Sequence, residues 1–181
     1  MDGQYYHDTR LPHIATDVAS VTLSTTNKAL YPVANVPAMG KDYWTVGKAV
    51  RIEVFGRATT GTTPGNLTLA LFYGTGADAN GTSLAATAAT ALTASKTNLS
   101  WTAWWDVHCT AVGTSGALFA CGWSKFNEGL IVADLFMPDS APATTTVDLT
   151  VASNILSVQA LRSGSTAETM QLHKVRVVSL N

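Results

Sequence analysis

Charged side chains are scarce in this chain. Asp, Glu, Lys and Arg supply only 13% of its 181 residues, about half of the roughly 25% that is usual in soluble domains. Thr, Ala, Ser and Gly take their place in short alternating runs. Because a soluble monomer normally stays dispersed through surface charge, this composition indicates either a subunit that its neighbours cover or a surface solvated by hydroxyl groups. We therefore expect a member of an assembly and not an enzyme.

Basic runs and long apolar stretches are also missing. The net charge is -1, so the chain carries no overall field that would attract the phosphates of a nucleic acid. No apolar run approaches the ~20 residues that cross a bilayer, and the polar, aromatic residues 1–8 do not resemble a signal peptide. We expect neither a nucleic-acid nor a membrane partner, and synthesis in the cytoplasm.

Motifs for catalysis and for metal binding are not found. The four histidines follow no compact metal-ligand spacing, and no phosphate-binding loop or nucleophile elbow is present. The turn at residues 78–81 begins like a calcium loop but lacks its later glutamate. The sequence therefore predicts no catalytic residue, no cofactor and no metal.

The two cysteines flank a predicted hairpin turn at residues 112–117. If the hairpin is symmetric about Ser115, Cys109 lies opposite Cys121, close enough for a disulfide. The alternative is a pair of buried thiols that pack as small apolar groups, which a reducing cytoplasm favours.

Short alternating segments separated by turn residues predict eight or nine strands and no helix. The alternating segments 50–55 and 67–72 are expected to form a hairpin or near neighbours. Residues 84–94 are rich in Ala but carry β-branched Thr, which favours an irregular strand or loop. Since several connections are too long for tight hairpins, we expect an all-β, jelly-roll-like antiparallel β-sandwich. It would occupy residues 13–181 as a single domain, preceded by an extended N-terminal arm at residues 1–12.

Residues 101–112 form the strongest predicted strand. Its alternation places Trp101, Trp105 and Cys109 on one face. The other face holds Trp104, Asp106 and His108 as an exposed interaction face, either a sugar-stacking platform or a subunit contact. An ordinary polar sheet face is the alternative. Trp105 and Trp123 flank the predicted hairpin and are expected to pack in the core.

Several segments resemble a family of tailed-phage structural proteins that is common in actinobacterial phages and environmental virus genomes. The segments that carry the resemblance are 50–57 (VRIEVFGR), 63–69 (TPGNLTL), 105–113 (WDVHCTAVG), 171–173 and 179–181. The resemblance spans roughly three quarters of the chain and includes no catalytic motif. It implies a virion component with a jelly-roll-like sandwich that decorates the capsid exterior as a trimer.

The resulting hypothesis is a capsid decoration, or cement, protein. It would form a homotrimer, bind the outside of the major capsid protein lattice and stabilise the shell, after assembly in the host cytoplasm. Tyr5, Tyr6, His7 and Arg10 of the arm would contact the capsid or a neighbouring subunit, because aromatic residues are enriched in interfaces. Two alternatives remain: a tail or baseplate protein, and a carbohydrate-binding β-sandwich module that binds a glycan through Trp104, Asp106 and His108.

Overall fold

The chain folds into two antiparallel β-sheets that pack against each other. A computed structural model describes residues 18–32, 36–141, 143–164 and 167–181. Within these ranges all extended regular structure is β-strand, which confirms the predicted all-β sandwich. The twelve strands are β1 (Val21–Thr22), β2 (Lys28–Ala29), β3 (Ala49–Thr59), β4 (Asn66–Gly74), β5 (Thr82–Ala86), β6 (Thr90–Ala91), β7 (Leu99–Ala111), β8 (Gly116–Phe126), β9 (Leu135–Met137), β10 (Thr144–Val147), β11 (Ile155–Arg162) and β12 (Thr169–Ser179).

Two of the sequence expectations concern the chain outside the strands. The predicted arm, with Tyr5, Tyr6, His7 and Arg10, lies outside the described residues. In the ranges that are described, no helix is long and apolar enough to cross a membrane.

The two sheets differ in size. The large sheet has seven strands in the order β1-β12-β3-β7-β8-β10, and β9 pairs with β8 further along that strand. The small sheet has five strands in the order β2-β11-β4-β5, and β6 pairs with β4. Strands β3, β7 and β8 therefore occupy the middle of the large sheet, where each is paired on both sides.

Strands β3 and β4 are not hairpin partners, so the expectation that residues 50–55 and 67–72 pair or lie side by side was wrong. β3 belongs to the large sheet and β4 to the small one. The connection between them is held by other segments: the Thr60 amide donates to the Lys96 carbonyl at 2.8 Å, and the Asn66 amide donates to Ser163 Oγ at 2.9 Å. Alternation shows which side chains face the core, but it does not show from which sheet they face it.

Residues 84–94 hold the end of one short strand, a gap and a second short strand, which agrees with the expected irregular strand or loop. β5 and β6 both pair with β4, and three residues separate them. Thr87 lies in this gap and is buried. Its amide donates to the Leu69 carbonyl at 2.9 Å, and its hydroxyl accepts the Leu69 amide at 3.0 Å. The side chain thus replaces a ladder bond that the backbone cannot make here.

One continuous apolar core fills the space between the sheets. Trp105 and Phe126 are among its largest fully buried side chains, and Trp101 stacks on Phe126 with ring centroids 5.8 Å apart. The buried Tyr31 hydroxyl donates to the Leu156 carbonyl at 2.7 Å, and burial raises the pKa of this phenol above its usual value. The largest aromatic side chains of the core, Trp101, Trp105 and Phe126, therefore come from the neighbouring strands β7 and β8.

A nearly buried ion pair lies where β11 leads towards β12. Arg162 Nε is 2.9 Å from Glu168 Oε2, and the two side chains are 11% and 1% exposed. Arg162 Nε also donates to the Leu23 carbonyl at 3.0 Å. The pair therefore joins the strand β11, the start of β12 and the residue that follows β1.

Candidate functional site

The candidate site is the face of the large sheet that points away from the core. Along β7, buried and partly exposed residues alternate strictly from Trp101 to His108. Trp104, Asp106 and His108 are the partly exposed ones, so they share the outer face as the sequence indicated. Their neighbours in the chain, such as Trp105, fill the core.

Aromatic side chains cross this face in a line perpendicular to the strands. Trp104 on β7 is paired with Trp123 on β8, and Trp123 is paired with Phe136 on β9. We call these three residues the aromatic row. The two tryptophans are partly exposed and Phe136 is 70% exposed. On the other side of Trp104 the line continues with Glu53 on β3 and Arg176 on β12.

Arg51 and Asp106 form a second line beside the aromatic row. They are directly paired across β3 and β7, and Arg51 donates from Nε to Oδ1 and from Nη2 to Oδ2, both at 2.6 Å. These hydrogen bonds raise the pKa of Arg51 above its usual value, against the opposing effect of burial. The guanidinium lies over Trp104, with Cζ 4.6 Å from the ring centroid. Arg51 is therefore fixed by two independent contacts.

His108 does not join the aromatic row. It lies two strand positions from Asp106 and four from Trp104, and its ring centroid is 6.4 Å from that of Phe119 on β8. No group of three or more potential metal ligands occurs among the described side chains. The structure thus brings Trp104 and Asp106 together through Arg51, and leaves His108 beside a different aromatic partner.

The placement of Trp123 corrects the sequence analysis, which assigned it to the core. The hairpin was taken as symmetric about Ser115, but Trp104 pairs with Trp123, and a bulge between Cys109 and Ala111 shifts the register between the turn and the rest of the strand. From Trp101 to Cys109, the actual partner of each β7 residue is three positions from the assumed one. Because strand side chains alternate with a period of two, an odd shift moves a residue to the opposite face.

The same shift separates the cysteines, so the opposed arrangement that would permit a disulfide was wrong. Cys109 is buried and paired with Leu118, whereas Cys121 is paired with Asp106 on the outer face. Both thiols are free. The two thiols lie on opposite faces of the sheet, and a disulfide is too short to join them through it.

Alkylation should distinguish the two thiols. Burial raises the pKa of both, and the carboxylate of Asp106 raises that of Cys121 further. We expect slow reaction with iodoacetamide at neutral pH and faster reaction of Cys121 as the pH rises, because the thiolate is the nucleophile. Cys109 should react only in denaturant. Peptide mass spectrometry of native and unfolded protein checks this, and failure of both thiols to react in denaturant without reductant would show a disulfide.

Exposed apolar side chains gather at one end of the sandwich. Four of the seven large apolar side chains that are exposed in the described ranges lie there: Val46, Val112, Val151 and Leu180. We call these four residues the valine end. Hydrogen bonds hold their loops together, from the Gly47 amide to the Cys109 carbonyl at 2.9 Å and from the Leu180 amide to the Ala49 carbonyl at 2.9 Å.

The loop between β10 and β11, which carries Val151, is also anchored by hydrogen bonds, as is the segment after β12. The Leu149 amide donates to the Gly113 carbonyl at 3.0 Å, and the side chain of Asn181 donates to the Gly47 carbonyl at 2.6 Å. Asp148 accepts the Thr150 amide at 2.8 Å and its hydroxyl at 2.6 Å, which lowers the pKa of that carboxyl. The apolar tips are therefore presented on ordered loops.

The turn that resembled part of a calcium loop is held by cation and amide contacts. Asp78 accepts Lys28 Nζ at 2.7 Å and the Ala29 amide at 2.9 Å. The hydrogen bond from Lys28 lowers the pKa of Asp78 below its usual value. Asp78 thus fastens this turn to β2, and its carboxylate is engaged in that structural role.

Comparison with known proteins adds no relative. No protein-family model, no curated protein and no solved structure matches the chain. Two surfaces of the molecule remain as candidates for a function, the aromatic row with its charged neighbours and the valine end.

Proposed function

We propose that the chain is a virion structural protein, a capsid decoration protein that binds the outside of the major capsid lattice as a homotrimer and stabilises the shell. The observation that carries the proposal is the valine end. Val46 and Val112 are 66% and 51% exposed on ordered loops. Apolar groups gathered on one exposed surface are typical of a protein contact.

The energetics of such a contact are favourable. Each Å² of apolar area that the valine end buries against a lattice contributes ~25 cal/mol before the costs of association are subtracted. Charged side chains make up only 13% of the residues, which limits the ionic desolvation that opposes close approach. The resemblance to tailed-phage structural proteins is the reason to propose a capsid lattice as the partner. The valine end is the surface that would contact that lattice.

Substitution of the valine end tests the proposal. A V46D/V112D variant should bind shells of the encoding virus, prepared without the protein, about tenfold or more weakly, because two apolar contacts are lost and two carboxylates are introduced. Cryo-electron microscopy of the mixtures should show wild-type density on the shell and none for the variant. Removal of residues 1–12 should likewise abolish binding while the fold is retained.

Val132→Asp is the matched control for that experiment. Val132 is 84% exposed but lies at the opposite end, in the loop after β8 whose Asn127 amide bonds to Ser100 at the start of β7. This variant should decorate shells like the wild type. Density on the tail would assign the protein to the tail or baseplate instead, and absence of wild-type density from the particle would overturn the proposal.

A further inference from the structure

The aromatic row has the dimensions of a single polysaccharide chain. Its rings sit on three adjacent strands, which are ~4.8 Å apart, a distance close to the length of one hexopyranose unit in an extended β-linked chain. Phe136 at one end is 70% exposed and Trp123 beside it is partly exposed. Consecutive sugar rings could therefore lie over consecutive strands.

The row is also only one residue wide. Neighbouring outward positions on a strand are separated by about 6.6–7 Å, and at those positions the aromatic row is bordered by charged groups. Asp106, held by Arg51, flanks Trp104 on one side, and Lys125, with its Nζ 3.8 Å from Asp134, flanks Trp123 on the other; the remaining flanking positions of the two tryptophans hold the small residues Thr102 and Cys121. The centre of a protein interface is depleted of charge over a broad patch. A narrow apolar stripe between charges fits a linear ligand better than a second protein.

The charges that border the stripe are paired. Asp106 is held by Arg51 at 2.6 Å, Glu53 lies 3.4 Å from Arg176, and Asp134 lies 3.8 Å from Lys125. Each of these carboxylates therefore has a cation beside it, and the three pairs together supply no excess of positive charge for a phosphate or uronate chain. This pattern favours a neutral ligand.

Hydrogen-bonding capacity remains beside the rings. Arg51 uses Nε and Nη2 for Asp106, and its Nη1 makes no hydrogen bond within the described part of the chain. Glu53 bonds only through Oε2, to Arg176, and Oε1 accepts none from a described group. A rigid donor and a nearby acceptor are what vicinal sugar hydroxyls require.

We propose that the aromatic row binds a neutral glycan of hexopyranose units, with one sugar ring stacked on Trp123 and the next on Phe136. Trp104 supports Arg51, which lies over its ring, and Arg51 Nη1 donates to a sugar hydroxyl. The site lies on the sheet face and the valine end lies on the loops, so glycan binding is independent of the capsid contact. A decoration protein with both surfaces would hold a shell through one and a polysaccharide through the other.

Binding of purified protein to neutral hexasaccharides tests this inference. Cellohexaose, mannohexaose and laminarihexaose are the probes, with an oligogalacturonate as the anionic comparison, and affinity is measured by isothermal titration calorimetry. Tryptophan fluorescence gives a second readout, since Trp44, Trp101 and Trp105 are buried and a change reports on Trp104 and Trp123. We expect at least one neutral probe to bind and to shift the emission.

Variants locate the site. Trp123→Ala and Phe136→Ala should each weaken binding of that probe about tenfold or more, as the loss of a buried aromatic contact requires. Phe55→Ala is the matched control, because Phe55 is 44% exposed on the same face but lies outside the row, beside Lys174. Phe136→Ala removes a side chain that is mostly in solvent, so it keeps the test decisive if Trp123→Ala fails to fold.

Several outcomes would overturn the inference. These are no binding of any neutral probe, binding of the oligogalacturonate alone, and equal losses in Phe55→Ala and Trp123→Ala. Dissociation of an oligomer by Trp123→Ala in analytical ultracentrifugation would show instead that the row is a contact between copies. None of these results depends on whether the protein decorates a capsid, since no particle is present in the assay.

Discussion

Replacement of Trp105 by alanine will lower the free energy of unfolding by about 3–5 kcal/mol, the usual cost of truncating a fully buried tryptophan. Trp105 has no exposed surface, and it points into the core from β7, a central strand of the large sheet. Since a domain is stable by only about 5–15 kcal/mol, this one change removes a large part of the total. Urea denaturation followed by far-ultraviolet circular dichroism measures it.

Trp104→Ala is the control, because it removes the same side chain from the next position of the same strand. Trp104 is partly exposed and loses chiefly its contact with Arg51, so we expect a cost of about 1 kcal/mol. Trp105→Phe should fall between the two and remains measurable if the alanine variant does not fold. Equal losses in Trp104→Ala and Trp105→Ala would contradict the assignment of the two faces of β7.

Arg162→Met should cost about 3–5 kcal/mol, because it removes the guanidinium that lies beside the buried carboxylate of Glu168. Glu168 is 1% exposed, so water cannot replace the guanidinium. The loss of the bond to the Leu23 carbonyl adds to the effect. The measurement is again the free energy of unfolding at neutral pH.

The control for this substitution is Arg176→Met on the outer face. Its pair with Glu53 is 50% and 27% exposed at 3.4 Å, and such surface pairs contribute about 0–1 kcal/mol. The double variant Arg162→Met/Glu168→Leu should recover much of the lost stability, because a buried pair that is replaced by apolar groups is often nearly neutral. A small effect of Arg162→Met would show that water reaches Glu168.

The sequence predicted well what depends on a single strand. Alternation alone identified the shared face of Trp104, Asp106 and His108 and the burial of Trp105, because side chains on a strand alternate whatever its partners are. The Thr-rich pattern likewise favoured an irregular strand or loop over a helix at residues 84–94. Which face a side chain occupies within one strand depends only on its neighbours in sequence, so the sequence pattern is enough to predict it.

Features that depend on how strands pair with each other could not be predicted from the alternation of single strands. The position of Trp123 follows from the bulge between Cys109 and Ala111, and neither composition nor period marks a bulge. Phe136 lies on a three-residue strand, which is too short to show alternation. Arg51 meets Asp106 from a position 55 residues away, and only the order of strands in the sheet brings them together. The aromatic row is therefore a product of register and topology.

Synthesis order limits when the large sheet can be completed. β12 is the last of the described strands to leave the ribosome, yet it fills the position between β1 and β3 and makes ten residue pairs with β3. Until it emerges, β3 presents an open edge with an apolar inner face, and such edges pair with other chains. A nascent chain stalled before β12 would expose this edge, so β12 acts as the closing element that protects β3 from pairing with other chains.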